Sequence, residues 1–213
     1  GWGTEDPARP YFNTLVVHEN TIYVGGEFRT LGGRDGGSDG VGYAGAVDAR
    51  TGLATPWNPR PNGGVVSLAA SGNAIYVGGW FNSLRDWVPR SGLAALDVTT
   101  GAATPWDPGC DGLVRSLAAS GSTVYVAGQF STVGGKARAN LAALDATDGT
   151  ARDWSPNPNG PLWTVVVSGS TVYAGGWFGR IAGQPRGYAA ALDSATGAAT
   201  AWDPGANDIV NTL

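Results

Sequence analysis

The chain repeats itself at a fixed interval. The pattern Tyr-(Val/Ala)-(Gly/Ala)-Gly-x-Phe occurs at 23–28, 76–81, 125–130 and 173–178, and each copy is followed by an aspartate and then a tryptophan. The aspartates Asp48, Asp97, Asp145 and Asp193 are spaced 49, 48 and 48 residues apart, and Trp57, Trp106, Trp154 and Trp202 keep the same intervals. A period of this size marks a repeat architecture. It overrides the usual inference from a length of 213 residues, which is one or two unrelated domains.

Each repeat reads as four short strands, a to d. Strand a is predicted over 14–17, 65–70, 114–119 and 162–167, and strand b over 21–28, 74–81, 123–130 and 171–178. Strand c is predicted over 43–47, 93–96, 141–144 and 189–192, and strand d carries the tryptophan. Ser71-Gly72-Asn73, Ser120-Gly121-Ser122 and Ser168-Gly169-Ser170 have the composition of hairpin turns, with Glu19-Asn20 in that place in the first repeat. The c–d joints run from each aspartate to Gly52, Gly101, Gly149 and Gly197. There the carboxylate can accept backbone N–H groups and the glycine supplies a positive φ. The four aspartates are therefore expected to be turn residues, neither metal ligands nor catalytic acids. Pro59, Pro108, Pro156 and Pro204 close the d segments, as suits an outer edge strand that needs no donor. No stretch carries the apolar stripe of an amphipathic helix.

Four-stranded antiparallel units of this length are propeller blades. The expected fold is all-β: a β-propeller with about 48 residues per blade, the blades spanning 11–59, 60–108, 109–157 and 158–206. Residues 1–10 and 207–213 are assigned to adjoining partial blades. Gly1-Trp2-Gly3 resembles the tail of a strand d, and 209–213 resembles a fresh strand a. On that basis the chain reads as part of a larger ring of about six to eight blades, or else as a short ring with a frayed end. A linear solenoid of hairpins is the competing architecture. The recurring tryptophan favours the propeller. One indole per blade can plug the gap between sheets, burying roughly 150–250 Å², a gross gain of about 4–6 kcal/mol at about 25 cal/mol per Å².

Composition excludes several roles. The formal net charge is −4, and twelve of the thirteen basic residues are Arg, with Lys136 the exception. Without a basic stripe, nucleic acid is not expected as a partner. No apolar run is long enough to insert into a membrane. Cys110 is the single cysteine, which excludes an internal disulfide framework and leaves a buried thiol, a reactive thiol or an interchain bridge. One histidine, His18, cannot build a His-based metal site, and the only glutamates are Glu5, Glu19 and Glu27. No nucleophile–His–acid set and no glycosidase-type carboxylate pair can be nominated. The expectation is a non-enzyme with no catalytic residue, no cofactor and no metal. The run from Asp35 to Asp39 offers oxygens to Ca²⁺ but lacks EF-hand spacing, and is otherwise a glycine-rich loop.

Internal recurrence separates scaffold from site. What appears in every repeat holds a blade together, and what differs at equivalent positions is available for function. The variable positions gather on the face formed by the start of strand a, the end of strand b and the b–c loop. On strand a they are Asn13, Val66, Arg115, Trp163 and Asn211, a row expected to rim the central channel. At the end of strand b they are Glu27, Trp80, Gln129 and Trp177. The b–c loops add Arg90, Arg138 and Arg186, each seven residues before its aspartate, while the first repeat has a longer loop through Arg34. The candidates for a ligand face are thus Trp80, Trp177, Trp163, Arg115, Glu27, Gln129, Arg90, Arg138 and Arg186. Aromatic faces beside polar groups suit a sugar or a peptide. The alternative is structural: Trp80 and Trp177 pack between blades and the arginines bond loop carbonyls.

The pattern Val-Tyr-Val-Gly-Gly-x-Phe, then Gly-Gly-x-x-Arg-x-x-Leu-Ala-Ala-Leu-Asp-x-x-Thr-Gly and Trp-x-Pro, resembles the delta-60-type bacterial β-propeller repeats. It is also similar to the propeller repeats of fungal cortical polarity-marker proteins, and its Leu-Asp-x-x-Thr-Gly…Trp portion resembles the tryptophan-docking motif of quinoprotein-like propellers. The resemblance covers residues 11–213. It implies a secreted or surface-anchored bacterial protein, often large and multidomain, with no assigned chemistry. No quinone site matches, because no vicinal cysteine pair is present. The expected function is a non-enzymatic extracellular or cell-surface propeller acting as a binding, adhesion or structural scaffold, with a protein or glycan partner at the b–c loop face. The alternatives are a carbohydrate-binding propeller and the propeller part of an enzyme whose site lies in the axial channel or in further blades. Completion of the ring by further blades of the same chain or by another copy is also expected.

Overall fold

The computed structural model describes residues 11–28, 31–32 and 42–213. The segments 1–10 and 34–40, which hold Gly1-Trp2-Gly3 and the Asp35–Asp39 run, lie outside the described residues. The described residues form four separate three-stranded antiparallel meanders. They are β1 (Tyr11–His18), β2 (Thr21–Glu27) and β3 (Ala44–Asp48); β4 (Val65–Ser71), β5 (Ala74–Gly79) and β6 (Leu93–Asp97). Next come β7 (Leu113–Ser120), β8 (Thr123–Gln129) and β11 (Leu141–Asp145), with the short pair β9 (Thr132–Val133) and β10 (Lys136–Ala137) between the last two. The fourth meander is β12 (Leu162–Ser168), β13 (Thr171–Gly176) and β16 (Ala189–Asp193), again interrupted by a short pair, β14 (Arg180–Ile181) and β15 (Gln184–Pro185). The a–b joints are two-residue turns as expected, with Gly72, Gly121 and Gly169 at positive φ and Glu19 in that conformation in the first blade.

The fourth strand differs from expectation. In every blade, segment d pairs with strand c through one isolated bridge: Val47–Ala54, Leu96–Ala103, Leu144–Ala151 and Leu192–Ala199. The last ladder bonds are donated by the N–H groups of Thr55, Thr104, Arg152 and Thr200 to Ala46, Ala95, Ala143 and Ala191. Beyond that point the chain leaves the sheet to send its indole to the neighbouring blade, and Pro56 and Pro105 have no N–H to extend the ladder. The blades are therefore three-stranded sheets with a short docking arm in place of a full edge strand.

That arm joins the blades. The indole N–H groups of Trp57, Trp106 and Trp154 donate to the backbone carbonyls of Asp97, Asp145 and Asp193, each in the next blade, at 3.0, 2.8 and 3.0 Å. The hydroxyls of Tyr23, Tyr76 and Tyr125 donate to the following carbonyls, Val98, Ala146 and Ser194. Each Tyr meets the Trp of its own blade edge-on, with centroids 5.0–5.2 Å apart. The apolar core lies between neighbouring sheets, not within them. Trp57, Trp106 and Trp154 are 1, 3 and 5 % exposed there, among side chains drawn from both blades. Trp202 packs edge-on against Tyr173, is 40 % exposed, and its indole N–H has no acceptor among the described residues.

The turn aspartates behave as their spacing predicts. The Asp48, Asp97 and Asp193 carboxylates each accept two backbone N–H groups and a Thr hydroxyl across the turn. In the third blade the threonine is replaced by Asp148, and Asp145 instead pairs with Arg152 at 2.8 Å. These bonds hold all four carboxyls below the usual carboxylate range.

Candidate functional site

On strand a, the register slips once in every blade, between Phe12 and Thr14, Val65 and Ser67, Val114 and Ser116, and Leu162 and Thr164. The skipped residues are Asn13, Val66, Arg115 and Trp163, four of the five in the variable row on strand a; the fifth, Asn211, lies outside the named strands. Each of the four is the extra residue of a β-bulge, which takes it off the ladder and re-aims its side chain. Strands β1, β4, β7 and β12 neighbour one another in that order, so the bulges form one row across the blades. Asn13 is tied down by the scaffold, donating to the Val65 carbonyl at 3.0 Å. Arg115 instead lies over the Trp163 ring, 4.9 Å from its centroid.

At the ends of the b strands, Trp80 and Trp177 are 70 and 59 % exposed, so they do not pack between blades. Their backbones are fixed all the same: Trp80 N–H donates to Gly64 and Trp177 N–H to Pro161. Glu27 and Gln129 are also exposed at this position. Around the face the four blades present a carboxylate, an indole, an amide and an indole. Trp177 borders a hollow of about 350 Å³ with Asn159, Pro161 and Tyr188. Trp80 borders one of about 290 Å³ with Asn82, Ser91, Cys110 and Asp111. Tyr188 sits at φ +61°, a conformation that Tyr43, Gly92 and Asn140 share at the same place in the other three blades.

Arg90, Arg138 and Arg186 are not available to a ligand. Each donates Nη1 to the carbonyl of the residue before it and Nη2 to the segment-d carbonyl fourteen residues on, Thr104, Arg152 and Thr200, all within 2.7–2.8 Å. Their side chains are only 11, 13 and 16 % exposed. They staple the b–c loop to segment d of their own blade, which is why they recur.

A second clamp escaped the sequence reading. Asn62, Asp111 and Asn159 each stand five residues after a docking tryptophan. Their Oδ1 atoms accept two successive N–H groups of the b–c loop, those of Asn82 and Ser83, Ser131 and Thr132, and Gly179 and Arg180. Burial works against ionisation of Asp111, but the bonds from the Ser131 hydroxyl and the two N–H groups prevail and bring its carboxyl down to about 2. The loops also reach back to the preceding blade, where Arg85, Gly134 and Ala182 N–H groups donate to Pro59, Pro108 and Pro156 carbonyls.

The second blade breaks the loop pattern. Where the third blade turns on Gly134 and Gly135, Arg85-Asp86-Trp87 forms a short 3-10 turn with Asp86 and Trp87 both at φ +60°. Trp87 is 84 % exposed as a result. A cleft of about 610 Å³ lies on the outer rim between the third and fourth blades. Its charged residues satisfy one another through Arg152–Asp145 and Lys136–Asp153 pairs. Cys110 is half-buried, and burial pushes its thiol up to about 11, which keeps it protonated and unreactive. Among the described residues no cluster of three or more His, Cys, Asp or Glu side chains forms a metal site.

No family model matches the chain, and no curated protein matches it. Solved structures do. The computationally designed Ika4 protein is 14 % identical with a TM-score of 0.55, over 90 % of this chain and 94 % of that one. The WD40 domain of Neurospora crassa Pan2 is 13 % identical with a TM-score of 0.56, over 89 % of this chain and 50 % of that one. The WD40 repeats of RRP9 are 11 % identical with a TM-score of 0.58, over 87 % of this chain and 52 % of that one. The chain thus spans about half the length of the two WD40 structures. At these identities the likeness concerns the fold, and the fold is propeller-like.

Proposed function

We propose that this chain is a non-enzymatic binding module, a propeller-type scaffold that engages a protein partner through the face made by the b-strand ends and the bulge row. The observation that carries this reading is the exposure of Trp80 and Trp177, 70 and 59 %, at equivalent positions on backbones held by hydrogen bonds. Exposed, pre-positioned indoles are the usual anchors of a protein interface. The resemblance of the repeats to the delta-60 type supports a location outside the cell or on its surface for such a module.

The test is a peptide-display selection on the folded protein, repeated with the Trp80→Ala/Trp177→Ala variant. The two indoles are exposed enough that the variant keeps its thermal midpoint, and selected peptides lose binding. If the peptides bind the variant equally well, this face is not the interface.

A carbohydrate-binding reading is favoured by the hollow at Trp177, where an indole, a phenol and the Asn159 amide converge, the composition of a sugar site. Saturable binding on a glycan array, abolished by Trp177→Ala, would establish it in place of the peptide reading. Completion of the ring by a further blade, of this chain or another copy, is supported by Trp202 and Tyr173. They present the same donors that the other three blades dock into a neighbour.

A further inference from the structure

We propose that Arg115 and Trp163 form a carboxylate-recognition site on the inner rim, which takes an Asp or Glu side chain of a bound peptide. The proposal rests on the peptide-binding reading and adds to it the chemistry of the bound residue.

The pair is built, not incidental. Arg115 is the bulge residue of β7 and Trp163 that of β12, in adjacent blades. Both side chains leave the ladder at the same level and meet with the guanidinium 4.9 Å from the ring centroid. The strands are locked beside them: Val165 N–H donates to the Ser116 hydroxyl at 3.0 Å, and that hydroxyl donates to the Val165 carbonyl at 3.4 Å. One register away, Leu117 N–H donates to the Ser67 hydroxyl at 2.9 Å. The cation therefore stands on a rigid support.

What the pair lacks is an anion. Arg115 is half-buried, and its Nε is fully covered with no acceptor. Its guanidinium makes no hydrogen bond and no ion pair with any described residue. Arg90, Arg138, Arg152 and Arg186 also have an unbonded Nε, but their terminal nitrogens are engaged with carbonyls or carboxylates. At the same bulge in the first blade, the polar side chain is satisfied by the neighbouring strand. Burial alone draws the Arg115 guanidinium below its ordinary pKa, with no carboxylate to counter it. Contact with the indole consumes none of the guanidinium's N–H donors, and the two terminal nitrogens present a fork that matches a carboxylate in two bonds. Arg115 is also the one charged residue among the four bulge positions, a single positive point on an otherwise neutral rim.

The probes are two acetylated, amidated decapeptides, one alternating Glu with Gly and the other Gln with Gly. The readout is the Nε–Hε resonance of Arg115 in arginine-labelled protein, assigned by its loss in Arg115→Lys. The Glu peptide is expected to shift this resonance saturably, with the Gln peptide binding about 10–100-fold more weakly. Arg115→Gln is expected to abolish the preference for Glu, and Arg115→Lys to retain part of it through a single point charge. Equal shifts with both peptides, or no shift at millimolar Glu peptide, would overturn the site. The two readings fail separately. If selected peptides depend on Trp80 and Trp177 but are indifferent to Arg115→Gln, the carboxylate site is wrong and the face stands. If they depend on none of the three, the face itself is wrong.

Discussion

The indole N–H of Trp106 donates to the carbonyl of Asp145 at 2.8 Å, while the Asp145 carboxylate accepts the Thr147 N–H of its own turn. One residue thus closes a turn in its own blade and receives the preceding blade. The indole hydrogen bond contributes about 1 kcal/mol net, and the Asp145 carbonyl keeps its bond from the Gly149 N–H when the indole donor is lost. Trp106→Phe should therefore destabilise the protein by about 2–3 kcal/mol once lost volume is added. Trp202→Phe, at an indole with no acceptor among the described residues, should change stability by less than about 0.5 kcal/mol. Urea midpoints of the two variants measure the difference.

Asp111 predicts a pH effect. Its folded carboxyl is lowered to about 2, against about 3.9 in an unfolded chain. A lowered folded value contributes stability above the unfolded value and loses it as pH falls through the folded one, here from about pH 4 down to about 2. Asn62 and Asn159 do the same job without a charge. Asp111→Asn should keep the clamp at pH 7 and remove this part of the acid loss. The measurement is the difference in stability between variant and parent across pH 2–5, expected to move in favour of Asn as pH falls.

The arginine staple predicts a non-conservative Lys. Arg138 spans two carbonyls, Ala137 and Arg152, with separate nitrogens at 2.8 Å each. A single ammonium cannot hold both in that geometry. Arg138→Lys should cost about 1–2 kcal/mol, whereas Arg115→Lys, which breaks no bond within the chain, should leave the thermal midpoint unchanged.

Close approach between blades uses glycine at one position of strand b in three blades, with Ala127 there in the third. A Cβ on Gly78 would lie 2.5 Å from Val114 Cγ1, and one on Gly25 would lie 2.5 Å from Val65 Cγ1. Gly78→Ala should destabilise by about 1–3 kcal/mol through overpacking. The double variant Gly78→Ala/Val114→Ala should be more stable than the sum of its parts, because each change relieves the other. Denaturation of the four members of the cycle gives the coupling.

The scaffold was legible because its parts recur. Asp, Trp and Tyr return at one spacing, and each return is a bond or ring contact that every joint needs. Segment d was over-read, since a tryptophan closed by a proline suits an edge strand, while the indole had to leave the sheet to reach its neighbour. The bulges were invisible. A residue skipped by the ladder has no compositional mark, and Asn13, Val66, Arg115 and Trp163 share no chemistry. They stood out only by differing. The Asn62, Asp111 and Asn159 clamp was readable in principle, as an Asn or Asp five residues after each docking Trp, but Asn and Asp blend into a Pro- and Gly-rich joint. The exposure of Trp87 depends on two residues at positive φ, which nothing in Arg85-Asp86-Trp87 announces.

Indoles bridge one blade to the next, and hydrogen exchange of the indole N–H protons measures that bridge directly. Trp57, Trp106 and Trp154 should exchange slowly, with protection that approaches the global stability, and Trp202 should exchange at close to the rate of free tryptophan. If all four exchange fast and alike, the blades are not docked in this way and the arrangement described here is wrong.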